Sequence, residues 1–519
     1  MERGILKQQP TIGRLGRRAA AGPLAALALL AAGLWNLSGP PMWWDEGWTL
    51  SVARNWAELG HYGRLLDGQL APPGLEASFV VTAPVALGFR LLGVGIWQGR
   101  VPGVVFMVAA LGLMYYLARR LYDRRVAIGT LFVLLLMPMH PQLHPLIMGR
   151  QVLGELPMLV YLLGGYACLL AALGRSAWFL PAAIGLWGVA LITKAQVLPF
   201  WAVSLLVPLG AALLARRWRA ALLLGLALPG AWLAGNALVW LWVRLIHGHT
   251  LPGAPVQGLY DVTALVLTSF NRTFALYMTA LVGLPLLAGL GYAAWRLLRP
   301  CDSQSVDAGR DSVRLALLAF TASWCAWFAL LSVGVPRYLF PASFVGGLFI
   351  AVLLRDLTGG YDLKFTLASA SAALRLRVDR RVAGAWLAIA LLALTVPITL
   401  ITLNGYYFSY TNPAATEIAA FLNTQTAPGA RIETYESELH FLLNRRYHYP
   451  PDQTHVELNR RSLTHQDIAI DYDPLAANPD YLVVGRFARE NGLYQPAIDS
   501  GAFRLLRSYD GYELYERAR

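Results

Sequence analysis

Apolar residues run through this chain in long stretches, separated by short segments in which arginines gather. Stretches of about twenty apolar residues are long enough to cross a bilayer as helices. Eleven read as spans: 19–38, 100–118, 126–139, 156–173, 177–193, 196–215, 220–245, 275–297, 314–332, 338–354 and 382–404. A further apolar stretch, Leu75 to Gly93, carries Glu76, Pro84 and Arg90. Counted as a span, it would put Arg119, Arg120, Arg124 and Arg125 outside, against the rule that short basic loops stay cytoplasmic. It is therefore read as a helix lying on or re-entering the outer leaflet, within one external loop, 39–99. The N-terminus is then cytoplasmic, all nine histidines fall outside, and the arginine clusters at 119–125, 216–219 and 375–381 fall inside. This sorting predicts that any chemistry takes place at the external face.

From about Asn412 the pattern changes. Residues 416–424 have apolar positions at helical spacing, and a Pro-Gly turn follows. Arg431 to Tyr435, Tyr481 to Val484, Phe503 to Leu506 and Glu513 to Tyr515 read as short strands. Helices alternating with strands predict a small α/β domain over 412–519, outside the membrane and joined to a membrane domain over 1–411.

Composition agrees with this reading. The 519 residues are 56% hydrophobic and 14% charged, against roughly 25% charged in soluble domains. The net charge of +13 resides largely in arginines between apolar runs, which is topology rather than a nucleic-acid-binding face. Cys168, Cys301 and Cys325 have no metal-ligand spacing, and the C-terminal part has no cysteine. The first apolar run is followed by Pro40-Pro41-Met42-Trp43-Trp44 instead of a small-residue cleavage site, so it reads as a retained span. No Gly-rich phosphate loop follows the early C-terminal strands, and no nucleotide cofactor is expected.

The candidate chemistry begins with Trp43-Trp44-Asp45-Glu46-Gly47-Trp48, where two adjacent acids emerge from the first span among indole rings. Ionisable groups at a membrane boundary are costly, which makes the pair a functional candidate; the alternative is that it caps the next helix. Other candidates at outer span ends are Arg100, Arg150, Glu155, Lys194, Arg337 and Tyr338. Lys194 and Arg337 have an alternative as snorkelling side chains, and Arg150 with Glu155 as a structural pair. His247 and His249, in a Gly/Pro-rich loop, are a candidate ligand pair for a divalent metal ion.

These motifs together resemble the GT-C glycosyltransferases that use polyprenyl-phosphate sugars, such as protein O-mannosyltransferases and the aminoarabinose transferase of lipid A. The resemblance is carried by Trp44-Asp45-Glu46 after the first span, Arg100, and Arg150 through Glu155-Leu156-Pro157. Thr193-Lys194, Pro336-Arg337-Tyr338-Leu339-Phe340-Pro341 and the external tail with Tyr447-His448-Tyr449-Pro450 add to it. It implies an integral-membrane enzyme that moves a sugar from a polyprenyl-phosphate donor to a glycolipid, glycan or protein acceptor with inversion. Asp45 would be the general base, and Glu46 and Glu155 the further catalytic acids. Arg100, Arg150, Lys194 and Arg337, with Tyr338, would hold the lipid phosphate or the sugar. The competing reading is a lipid or solute transporter, which predicts internal repeats and ionisable groups at mid-span; here these groups sit at span ends.

Overall fold

The computed structural model describes residues 24–42, 44–72, 74–75, 77–246, 272–298, 308–372 and 379–518. Eight described helices are long and apolar enough to cross a membrane: Ile96–Leu121, Glu155–Gly174, Val197–Leu214, Trp218–Ile246, Arg272–Leu297, Ala308–Leu331, Pro336–Leu357 and Arg380–Phe408. The protein is an integral membrane protein. Three predicted spans are shorter. Leu24–Leu34 begins at the first described residue, Arg124–Leu136 has 13 residues, and Ala177–Thr193 opens with a 3-10 turn. At about 1.5 Å per residue, 13 residues cover roughly 20 Å, less than a hydrocarbon core of about 30 Å.

Pro336–Leu357 is the centre of the bundle, buried along most of its length, whereas Trp218–Ile246 lies at the periphery and is largely exposed. Small residues set the closest crossings, as in membrane bundles generally. A Cβ at Gly289 would lie 2.8 Å from the Ile350 nitrogen, and one at Gly188 would lie 2.9 Å from the Gly235 nitrogen.

The bundle has two chemically different ends. At one, Arg355 pairs with Asp123 (3.1 Å) and Asp356 (2.8 Å), and Arg296 pairs with Asp356 (2.7 Å). Arg314 donates to the Leu121 carbonyl there, so the arginine-rich turns meet. At the other end lie the first loop, the 140–154 turn, the loop before Arg337 and the C-terminal sheet.

The first loop folds into two helices, Trp44–Leu59 and Phe79–Leu92, with a two-stranded hairpin between them, β1 (Leu65–Leu66) and β2 (Gln69–Leu70). Ser78 caps the second helix, which buries Val81, Val85 and Phe89 on one face and leaves Leu87 and Leu91 exposed. It is 14 residues long, and it packs against Trp44–Leu59 and Ile96–Leu121.

The C-terminal region is built on a five-stranded sheet of order β4-β3-β5-β7-β6, formed by β3 (Arg431–Thr434), β4 (Arg446–His448), β5 (Tyr481–Val484), β6 (Phe503–Tyr509) and β7 (Tyr512–Arg517). β3 runs parallel to β4 and β5, while β7 is antiparallel to β5 and β6. Alternate residues feed opposite faces. Ile432 and Val483 pack with Ile418 and Leu422 of helix Ala414–Gln425, whereas Leu482 and Val484 pack in a cluster that includes Trp44 and Trp48 of the first loop. The first loop is therefore part of the C-terminal core. Strand β4 and helix Asp452–Thr464 are elements that the sequence reading did not assign.

Candidate active site

Asp45 and Glu46 open the Trp44–Leu59 helix, where the exposed backbone N–H groups favour negative charge. Consecutive helical residues diverge by about 100°, so the two carboxylates face different partners. Asp45 meets Arg337, with 2.7 Å between Oδ2 and Nη2. The Arg337 Nε lies 3.4 Å from Glu155, and the Lys194 ammonium donates to the same Glu155 oxygen. Local structure places each member. Glu155 is the first residue of Glu155–Gly174, Lys194 is the C-cap of Leu180–Thr193, and both charges complement the helix dipoles. Arg337 sits in the 3-10 turn Pro336–Leu339, whose Pro336 supplies a fixed φ, and its backbone N–H donates to Gln142 Oε1 at 3.1 Å. The Tyr338 ring lies under both cations, 5.7 Å from the Arg337 guanidinium carbon and 5.8 Å from the Lys194 ammonium.

Exposure divides the roles within this network. The Asp45 side chain is 45% exposed and the Glu155 side chain 2%, so Asp45 is the acid a substrate can reach. Burial by itself would raise the Asp45 carboxyl, but the Arg337 guanidinium beside it, with His455 and Lys194, holds it below the usual carboxylate range.

Glu46, Arg100 and Arg150 are placed differently from what the sequence suggests. Glu46 is fully buried and accepts two bonds from Arg100, 2.7 Å from Nε and 2.9 Å from Nη2. The other Arg100 donors go to the carbonyls of Leu37 (2.8 Å), Pro40 (2.9 Å) and Pro41 (3.2 Å), so its five N–H groups are engaged within the chain. Arg150 donates to the carbonyls of Trp35 and Tyr407 and lies over the Tyr407 ring at 4.0 Å. Both arginines therefore satisfy backbone carbonyls: Arg100 in the segment after the first helix, and Arg150 at Trp35 just past that helix and at Tyr407. Arg100 and Arg150 do not join the Asp45 network in this conformation, and Glu46 is buried against Arg100.

His247 and His249 lie outside the described residues. Among the described residues, no group of three or more His, Cys, Asp or Glu side chains is arranged to hold a metal ion. His144 is buried and pulled down to about 4 by that burial, and it caps the turn Pro145–Met148 through Nδ1.

Sequence reasoning missed His455. It projects from helix Asp452–Thr464, stacks on Trp44 (ring centroids 4.2 Å apart, planes at 4°) and shares a 2.6 Å hydrogen bond between Nδ1 and the Tyr435 hydroxyl. Burial pulls its imidazole down to about 4, although Asp45 opposes this. The one local signal was Pro450-Pro451-Asp452, a helix start that a reading confined to apolar periodicity passes over.

No protein-family model matches the chain, and no curated protein matches it. Solved structures do. The ArnT of Cupriavidus metallidurans, determined bound to undecaprenyl phosphate, superposes with a TM-score of 0.57 at 15% identity, covering 96% of this chain and 97% of that one. The oligosaccharyltransferase AglB of Archaeoglobus fulgidus, determined with an inhibitory peptide and a dolichol-phosphate, gives 0.56 at 13% identity, covering 97% and 75%. At these identities the likeness is one of fold, and it extends over nearly the whole chain.

Proposed function

We propose that this protein is a membrane glycosyltransferase that moves a sugar from a polyprenyl-phosphate donor to an acceptor hydroxyl or amine, on the extracytoplasmic face. Asp45 takes the acceptor proton. The acceptor oxygen or nitrogen bonds to the anomeric carbon from the side opposite the phosphate, the carbon–oxygen bond to the phosphate breaks, and the electron pair leaves on polyprenyl phosphate. Arg337 and Lys194 receive that anion through charge-assisted bonds, and Glu155 holds both cations in place. The acceptor class is a glycolipid, glycan or protein.

The observation that carries this reading is the accessible Asp45 carboxylate beside two cations, at the membrane end where the first loop and C-terminal sheet meet. The ArnT and AglB structures, which hold undecaprenyl phosphate and dolichol-phosphate, support the donor class. Asp45→Asn keeps the size of the side chain and removes the base. A lost general base costs about 10²–10⁴-fold in rate, so transfer is expected to fall by that much while the protein inserts, purifies and binds undecaprenyl phosphate. Near-normal transfer by this variant would refute the assignment.

A further inference from the structure

Three contacts from the C-terminal region converge on Trp44, the residue before Asp45. The Trp44 indole N–H donates to the Tyr435 carbonyl at 3.2 Å, and the Ser437 hydroxyl donates to the Trp44 carbonyl. The indole face lies flat on His455, whose Nδ1 is held by the Tyr435 hydroxyl and whose Nε2 lies 2.9 Å from Asn459 Nδ2. Both imidazole nitrogens are thus occupied, and the ring serves as a fixed plate. One turn further on, Gly47 permits the close approach: a Cβ there would lie 2.4–2.6 Å from backbone atoms of Ser437 and Glu438.

The two halves are also joined by contacts away from Trp44. Arg64 pairs with both Asp452 oxygens at 2.8 and 2.7 Å, and Arg54 donates to the Phe441 and Leu443 carbonyls. Arg431 pairs with Asp67 at 2.7 Å, and the Asp67 N–H donates to the Tyr447 carbonyl. These contacts fasten the body of the first loop. The grip on Trp44 acts on the helix turn that carries Asp45.

We propose that Tyr435, Ser437 and His455 are positioning residues for the transfer reaction, holding Trp44 so that the Asp45 carboxylate is aimed at the acceptor. The C-terminal region is then a working part of the active site. This rests on the reading of Asp45 as the base. A displacement of about 1 Å in a reacting group can cost 10²-fold, so loosening this turn acts on turnover and leaves donor binding in place.

The test uses the full chain in nanodiscs, with a panel of undecaprenyl-phosphate-linked hexoses and pentoses as donors and envelope lipid extract as acceptor. Release of undecaprenyl phosphate is followed, and hydrogen exchange is read across residues 45–52 in the same preparations. His455→Ala is expected to lower kcat by about 10–100-fold, with donor KM within about two-fold, and to speed exchange in that turn. His455→Phe, which keeps a flat ring against Trp44, is expected to recover most of both. The proposal is overturned if His455→Ala leaves kcat unchanged, if it raises KM instead, or if exchange is unaltered. Asp45→Asn in the same assay separates the two levels. An inactive Asp45→Asn beside a fully active His455→Ala removes only the positioning role, whereas an active Asp45→Asn removes the assignment of the base beneath it.

Discussion

Glu46 and Arg100 offer a decisive separation of structure from chemistry. Their side chains are 0% and 1% exposed, and Arg100 also holds the carbonyls of Leu37, Pro40 and Pro41. Removing one partner of a buried ion pair leaves an uncompensated charge and costs about 3–5 kcal/mol. Arg100→Met is expected at the upper end, because it strands the Glu46 carboxylate and removes the donors of three carbonyls. Glu46→Gln keeps an acceptor oxygen, and the guanidinium retains its carbonyl partners, so about 2–3 kcal/mol is expected, the worth of charge-assisted hydrogen bonds. The double variant loses the charges together. Its destabilisation should fall short of the sum by roughly 2 kcal/mol, a coupling within the range for residues in contact. Equilibrium unfolding in mixed micelles measures the cycle, with lipid-phosphate release followed on the folded fraction. Glu46→Gln should transfer sugar at a rate within a few-fold of the parent chain. The reasoning is refuted if Glu46→Gln loses about 10²-fold in rate while its stability stays within about 0.5 kcal/mol of the parent, which would make Glu46 a catalytic acid.

Arg337→Gln should move the acid limb of the pH dependence of kcat/KM for the donor, which reads the donor-free protein, to higher pH. The guanidinium holds the Asp45 carboxyl below its ordinary range, so without it protonation disables the base at a higher pH, and an unmoved limb would exclude Asp45 as the titrating group. Glu436, buried beside Glu438, is pushed up to about 8 by burial first and that neighbour second. Its contribution is present at pH below its unfolded value near 4.5 and is lost as pH rises towards 8, so Glu436→Gln should gain stability relative to the parent across that window; a parallel pH dependence of the two proteins would contradict this.

The membrane helices were legible because lipid demands apolarity along a whole segment, and that demand is written locally. Charge sorting disfavours a span at Leu75 to Gly93, and the helix there, Phe79–Leu92, has 14 residues and packs against Trp44–Leu59 and Ile96–Leu121. The strands at 431, 481, 503 and 513 were readable from short apolar runs. β4 was not, since Arg446-Tyr447-His448 has no apolar run and is recruited by pairing with β3 and by the Asp67 N–H. Division of labour among charges was illegible for a different reason. Asp45 and Glu46 are neighbours in sequence, and only the pitch of their helix sends one to Arg337 and the other to Arg100. Arg100, Arg150 and Arg337 all stand near helix ends at the same end of the bundle. What separates them is whether orphaned carbonyls at Trp35, Leu37, Pro40 and Pro41 or the Asp45 and Glu155 carboxylates lie in reach, and that is settled by folding. His455 lies some 400 residues from Asp45 and enters the site through a sheet that the sequence places only in outline.

A general base works best when its pKa lies near the working pH, yet Asp45 is held low by Arg337. The network itself resolves this tension in the proposed reaction. Two carboxylates and two cations, Asp45, Glu155, Arg337 and Lys194, form a set whose formal charges cancel. A lipid phosphate entering that set competes with Asp45 for the Arg337 guanidinium, while buried Glu155 stays bound to both cations. Phosphate draws charge-assisted bonds at least as strong as those of a carboxylate. The carboxylate with the most solvent access is thus the one displaced, and losing its counter-ion raises its proton affinity. Donor binding therefore strengthens the base at the moment an acceptor proton is to be taken. In the resting protein the same pair keeps Asp45 from idling as an unpaired charge at the membrane surface.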